Sequence, residues 1–163
     1  MSKKTLNTTN LEKLGAERLA ALVMELVQGS AALQRRARLE ISAAQGPQDI
    51  AVDIRKRFAM MRRATAFVNW RKQKALIKDL DGLLQMINAN VAPYNADEGF
   101  DLLWSLIQLA PSIHERTDDS NGAVGDVFRD AIDAIAAIAP RINVAPLVLA
   151  DRILDAVVGA GYG

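Results

Sequence analysis

The chain lacks cysteine altogether and has a single histidine, His114, among its 163 residues. Without thiols there is no disulfide framework and no thiolate metal site, and one imidazole does not furnish the usual zinc ligand sets. Aromatic residues make up only 5% of the sequence, and β-branched runs are few, which favours helix over strand. No apolar stretch follows Met1-Ser2-Lys3-Lys4-Thr5, so no secretory signal is read there. No uninterrupted apolar run approaches the roughly 18 residues that a membrane span requires. The Asn7-Thr8-Thr9 sequon is therefore a chance match. The glycine patterns that cradle phosphates, and the Gly-x-Ser-x-Gly elbow of hydrolases, are both missing. These absences predict a cytoplasmic protein with no membrane association, no cofactor and no enzymatic activity.

What the chain does have is charge sorted along its length. Arg35 to Lys78 holds twelve basic residues against three acidic ones (Glu40, Asp49 and Asp53), a net of +9. Asp79 to Gly163 holds thirteen acidic residues against four basic ones, a net of −9, so the total of +1 hides two opposed stretches. Such asymmetry bears on partners and assembly more than on fold.

Half of the residues are hydrophobic, and they recur at helical spacing almost throughout. A chain of this length is expected to form one domain spanning residues 1–163. A short turn near Asn10 to Leu14 precedes an amphipathic helix from about Gly15 to Val27, with Leu19, Leu22, Val23 and Leu26 on one face. Gly29-Ser30 stops it and caps the next helix, where Leu33, Ala37, Ile41 and Ala44 recur. Pro47 suits the first turn of a third helix reaching about Ala64. Its Ile50, Ile54, Phe58 and Met61 form an apolar stripe, flanked by Arg57, with Arg55, Lys56, Arg62 and Arg63 on a separate arc. From about Asn69 to Val91, Trp70, Leu76, Ile77, Leu80, Leu83, Leu84, Ile87 and Val91 make a second stripe opposite Arg71, Lys74 and Lys78. Asn95 or Asp97 caps the next segment. There Phe100, Leu102, Leu103, Trp104, Leu106, Ile107 and Leu109 surround almost the whole helix, so it should be central. Pro111 kinks or ends it. Two further helices follow, one carrying Val124, Val127, Phe128, Ala131, Ile132 and Ile135. The other runs over about Pro146 to Val158, with Leu147, Ala150, Ile153, Leu154 and Val157 buried. The pattern predicts an all-α fold of seven or eight helices as antiparallel hairpins, either a compact bundle or a short solenoid of TPR or HEAT-like stacking. No repeat period is visible.

Asp118-Asp119-Ser120-Asn121-Gly122 has the look of a calcium loop. Aligning Gly122 with the invariant glycine leaves Thr117 and Phe128 at the two anchor positions, where carboxylates belong. The oxygens of such a run also cap a helix, and that is the expected role here. His114, four residues before Asp118, can meet it across one turn. A structural hydrogen bond or a cation at a helix end is the expectation, with a carboxylate-only metal site near residues 115–126 as the weaker alternative.

Phe67-Val68-Asn69-Trp70-Arg71, followed by a leucine-rich helix, and Glu115-Arg116-Thr117-Asp118-Asp119-Ser120-Asn121-Gly122-Ala123-Val124-Gly125-Asp126-Val127-Phe128 together resemble an uncharacterised bacterial all-helical domain family. The opening Lys4-Thr5-Leu6-Asn7 through Gly15-Ala16-Glu17-Arg18-Leu19 resembles that family's N-terminus. The two motifs are also similar to the helical region beside the zinc finger of bacterial SWIM-type zinc-finger proteins. The resemblance implies a helical-hairpin array and brings no established activity. It marks Glu115, Asp118, Asp119, Ser120, Gly122, Gly125 and Asp126 as a candidate structural motif closing a hairpin. Members continue past a segment like Ala160-Gly161-Tyr162-Gly163, which implies that this chain is the N-terminal part of a longer helical protein.

The basic stretch is the candidate partner surface: Arg35, Arg36 and Arg38, then Arg55, Lys56, Arg62 and Arg63, then Arg71, Lys74 and Lys78. A scaffold or protein-interaction domain, or a self-associating one, is the first expectation. Nucleic-acid binding through phosphate contacts is the alternative. Against it stands the scarcity of aromatics nearby, since at least two of Phe58, Phe67 and Trp70 are expected in the core. A solvated face paired with the chain's own acidic half is the plainest reading of the charge.

Overall fold

A computed structural model describes residues 5–159 of the chain. In order the helices are α1 (Thr8–Glu12), α2 (Gly15–Val27), α3 (Ala31–Gln45), α4 (Pro47–Arg63), α5 (Trp70–Asn90), α6 (Ala96–Ile107), α7 (Ala110–His114), α8 (Ala123–Ile138) and α9 (Pro146–Gly159), with a 3-10 turn over Ala139–Arg141. The fold is all-α, as the periodicity predicts. Among the described residues the single departure is an isolated parallel bridge between Val68 and Thr117. By contacts the chain divides into two compact units, Met1–Arg38 and Leu39–Gly163, with the boundary inside α3.

In the first unit Asn7 caps α1 by accepting from the Asn10 N–H at 2.9 Å. Ser30 caps α3 through the Leu33 N–H at 3.3 Å, as expected for Gly29-Ser30. Gly29 takes a φ of +75° where the chain turns from α2 into α3, a conformation open to glycine at little cost. The expected apolar stripe of α2 is not buried. Leu19 and Leu22 are half-buried, while Val23 and Leu26 are exposed.

The second unit packs α4, α5, α6 and α8 around one core, with α6 in contact with each of the other three. Phe100, Leu102, Leu103, Leu106 and Ile107 of α6 are all buried. A helix apolar on most sides has to be covered on most sides, which is why it sits in the middle. Its start is fixed by Asn95, which accepts from the Glu98 N–H at 3.0 Å. One turn in, Gly99 rests on the loop before it: a Cβ there would lie 2.7 Å from the Ala92 Cβ and 2.8 Å from its Cα. Pro111 stands in the first turn of α7, so the regular part of α6 ends before it. Ile50, Ile54, Phe58 and Met61 of α4, and Val124, Val127, Phe128, Ala131 and Ile135 of α8, are buried as their spacing requires.

Two helices pack on a face other than the expected one. In α3, Ile41 is 61% exposed, while Leu39 and Ala43 lie against the core. Ser42 is buried between them, its hydroxyl donating to Asp53 Oδ2 at 2.6 Å. A polar residue enters the interior when its hydrogen bond is made there, and that bond selects the face. In α9, Ile153 packs on the core as expected but with Leu149 beside it, whereas Leu147 is 79% exposed, Leu154 is exposed and Ala150 is exposed. The exposed Arg152 reaches its guanidinium to 5.7 Å from the centre of the Phe100 ring, so a cation borders this contact. The expectation for the Val157 side chain, and the segment Ala160-Gly161-Tyr162-Gly163, lie outside what is described.

Candidate functional site

The two motifs that carry the family resemblance meet in space. After α4 the chain crosses from Ala64 to Asn69 and its Val68 N–H donates to the Arg116 carbonyl at 2.8 Å. The Arg116 guanidinium returns toward the Ala66 carbonyl at 3.5 Å. From α5, Gln73 donates through Nε2 to the Asp118 carbonyl at 2.7 Å, and its side chain is buried there. The α4–α5 turn and the α7–α8 loop are thus stitched by backbone and amide hydrogen bonds into one edge of the second unit. Gln73 was not singled out from the sequence. The signal was present, because it shares the α5 stripe with Ile77 and Leu80 four and seven positions on.

Within the α7–α8 loop the oxygens are directed at backbone N–H groups. Asp119 accepts from Val124 through Oδ1 at 2.8 Å and from Gly125 through Oδ2 at 2.9 Å. Asp118 Oδ1 accepts from the Ser120 N–H at 3.1 Å, and Asn121 Oδ1 from the Ala123 N–H at 3.2 Å. Gly122 takes a φ of +70° where the chain enters α8. The Asp119 and Asn121 contacts satisfy orphan donors of the α8 N-terminus, the Asp118 contact closes a turn before it, and the carboxylate of Asp119 also suits its positive end. His114 approaches Asp119, at 3.9 Å from Nδ1 to Oδ2, rather than Asp118, and its ring lies 5.7 Å from that of Phe128. The reason is that α7 ends at His114, so the helical spacing that would pair it with Asp118 does not continue. Glu115, Ser120 and Asp126 are exposed, and Asp126 pairs with Arg129 one turn along α8. Gly125 is buried in the first turn. Among the described residues no three His, Asp or Glu side chains converge as a metal-holding group.

The basic residues separate into three groups. Arg35, Arg36 and Arg38 belong to the first unit, with Arg35 half-buried and the other two exposed. On α4, Arg55 pairs with Glu98 of α6, Lys56 with Asp53 at 3.0 Å, and the flanking Arg57 with Asp79 of α5. The hydrogen bond that it donates to Glu98 holds the Arg55 guanidinium above its ordinary value. Part of the positive stretch therefore meets the chain's own carboxylates. The third group does not. Arg62 and Arg63 close α4, and Arg71, Lys72, Lys74 and Lys78 open α5, all of them exposed. Among the described residues no carboxylate lies within ion-pair distance of these six.

The aromatics of this edge differ from expectation. Phe58 is in the core, but Phe67 is 65% exposed and Trp70 is 73% exposed. Trp70 falls at the border of the α5 stripe and is the first residue of the helix. Asn69 caps the helix just before, accepting from the Lys72 N–H at 3.2 Å. The Arg71 guanidinium lies 5.0 Å from the centre of the Trp70 ring, within cation–π reach.

Fold and site together define a helical bundle with one capped, stitched loop and a cationic, aromatic edge beside it. The chain belongs to a family of unknown function, DUF6880, whose model matches residues 1–163. No curated protein and no solved structure matches it.

Proposed function

We propose that this chain is a non-enzymatic helical interaction module that holds a negatively charged partner on the edge formed by the end of α4 and the start of α5. The observation that carries the reading is the group of six exposed cations, none paired with a carboxylate among the described residues, beside two exposed aromatic rings. The structural use of Asp118, Asp119 and Asn121 as acceptors for backbone N–H groups supports a scaffold role for the acidic loop rather than a chemical one. The exposed Leu147 and Leu154 of α9 offer a protein partner a second, apolar place to bind. A bacterial, cytoplasmic setting is part of the same proposal.

The test is a titration with two polyanions at low and high salt, followed by tryptophan fluorescence. Polyglutamate stands for an acidic protein and a single-stranded oligonucleotide for nucleic acid. Saturable binding of either that weakens as salt rises is the expected result, since the contacts are between opposite charges. Binding of neither at ~50 mM salt, where exposed charges are weakly screened, removes this reading.

A further inference from the structure

We infer that the α4–α5 edge binds single-stranded nucleic acid, with bases stacking on Trp70 and Phe67 and phosphates running along Arg71, Lys74 and Lys78. This rests on the proposed anion-binding edge and gives its ligand a chemistry. At 100° per residue, Trp70, Lys74, Lys78 and Arg71 fall within an arc of about 100° on α5, with Trp70 at the border of the stripe that enters the core and the three cations turning progressively away from it. Arg71 to Lys78 covers about 10 Å of helix, enough for a short run of phosphates. The aromatic element lies at one end of this cationic row, not apart from it. Trp70 is 73% exposed and already carries the Arg71 guanidinium over its ring, a flat cationic surface of the kind on which bases stack.

The observations favour a single strand over the other anionic partners. An acidic peptide satisfies the cations but makes no specific use of two open aromatic faces. A duplex keeps its base faces stacked on one another and offers only phosphates to this helix. A single strand uses both features at once. The acidic neighbours set its path: Asp81 lies one turn beyond Lys78 on the same helix, and the exposed Glu115 and Asp118 stand in the adjoining loop. The strand is thereby confined to the Trp70 to Lys78 segment, with Arg62 and Arg63 just across the six-residue turn.

The experiment uses the full chain and a twelve-residue oligouridylate, with a duplex of equal length and polyglutamate as comparisons, by fluorescence anisotropy. The oligouridylate should bind, with a log–log salt slope of roughly −2, as about three phosphate contacts on a single strand give. Trp70→Ala should weaken it by about tenfold at fixed salt and leave the slope unchanged, the signature of lost stacking. Lys74→Glu should weaken it and flatten the slope. Circular dichroism checks that each variant keeps its helix content; both residues are exposed, so both should. Polyglutamate binding without oligouridylate binding would overturn this inference and leave the anion-binding edge standing. Equal affinity for the duplex with no response to Trp70→Ala would overturn it too. Failure of all three ligands would overturn both readings.

Discussion

At the scale of single residues, Gly99 is the position where the backbone leaves least room. Its missing Cβ lets the first turn of α6 approach Ala92, whose Cα and Cβ would both stand under 3 Å from an added methyl. The neighbour is an alanine Cβ and the backbone that carries it, and neither can swing aside as the end of a flexible side chain can. Gly99→Ala is therefore expected to cost about 1–3 kcal/mol, the range of an overpacked interior, despite alanine's better helix propensity. A denaturant midpoint unchanged from the parent would show that the loop moves away without penalty. Two residues before it, Asp97 accepts from the Asn143 backbone N–H at 2.7 Å and from its side-chain amide at 2.8 Å. These two bonds hold the Asp97 carboxyl below its ordinary value of 3.8. A carboxylate lowered in the folded state contributes stability above its unfolded value and loses it as pH falls through the folded one. Carbon-detected NMR titration of Asp97 should give a midpoint under 3.8, and a midpoint at or above that would mean that the Asn143 contact is not kept in solution.

At the scale of elements, the start of α8 depends on a residue that the usual cap position does not contain. Gly122 stands there and has no side-chain oxygen to offer, so Asp119, three residues earlier, reaches over to two N–H groups. Asp119→Ala removes both acceptors at once and should destabilise the protein by about 1–2 kcal/mol, as lost N-caps do. Faster exchange of the Val124 and Gly125 amides would localise the effect, and unchanged exchange at both would refute the capping role. The same loop shows what the sequence disclosed and what it withheld. A run of Asp, Ser and Asn before an apolar periodicity announces a capped helix start. Which oxygen reaches which N–H depends on the glycine turn, and spacing alone pointed to Asp118 as the partner of His114. The stripes of α4, α6 and α8 were legible because their buried arcs are wholly apolar. The faces of α3 and α9 were not, because Ser42 is admitted by its bond to Asp53, and in α9 Leu149 rather than Leu147 or Leu154 meets the core. Hydrophobicity counted along the chain assigns Ser42 to the outside. Trp70 was misplaced for the converse reason. An aromatic in phase with a stripe is buried only if a neighbour extends that far, and α5 begins at that residue.

At the scale of the whole chain, burial is shared unequally between the compact units. Every buried residue described lies beyond Arg38, and most of the deepest come from α4, α5, α6 and α8. Helices of this length draw most of their stability from packing an apolar face rather than from propensity. In α2 that face holds no buried side chain, and Val23, Met24 and Leu26 remain largely in water. Local opening free energy follows buried apolar contact, from near zero at poorly packed segments up to the global value in the core. Amide exchange followed by mass spectrometry should therefore show α2 exchanging at least about a hundredfold faster than α6 under native conditions. A ligand bound only to the α4–α5 edge should slow exchange in residues 62–78 and leave that of α2 unchanged. Protection of α2 equal to that of α6 in the free chain would mean that the helix gains stability from something other than burial within this chain, and self-association would be the first source to measure, by repeating the exchange at tenfold lower protein concentration.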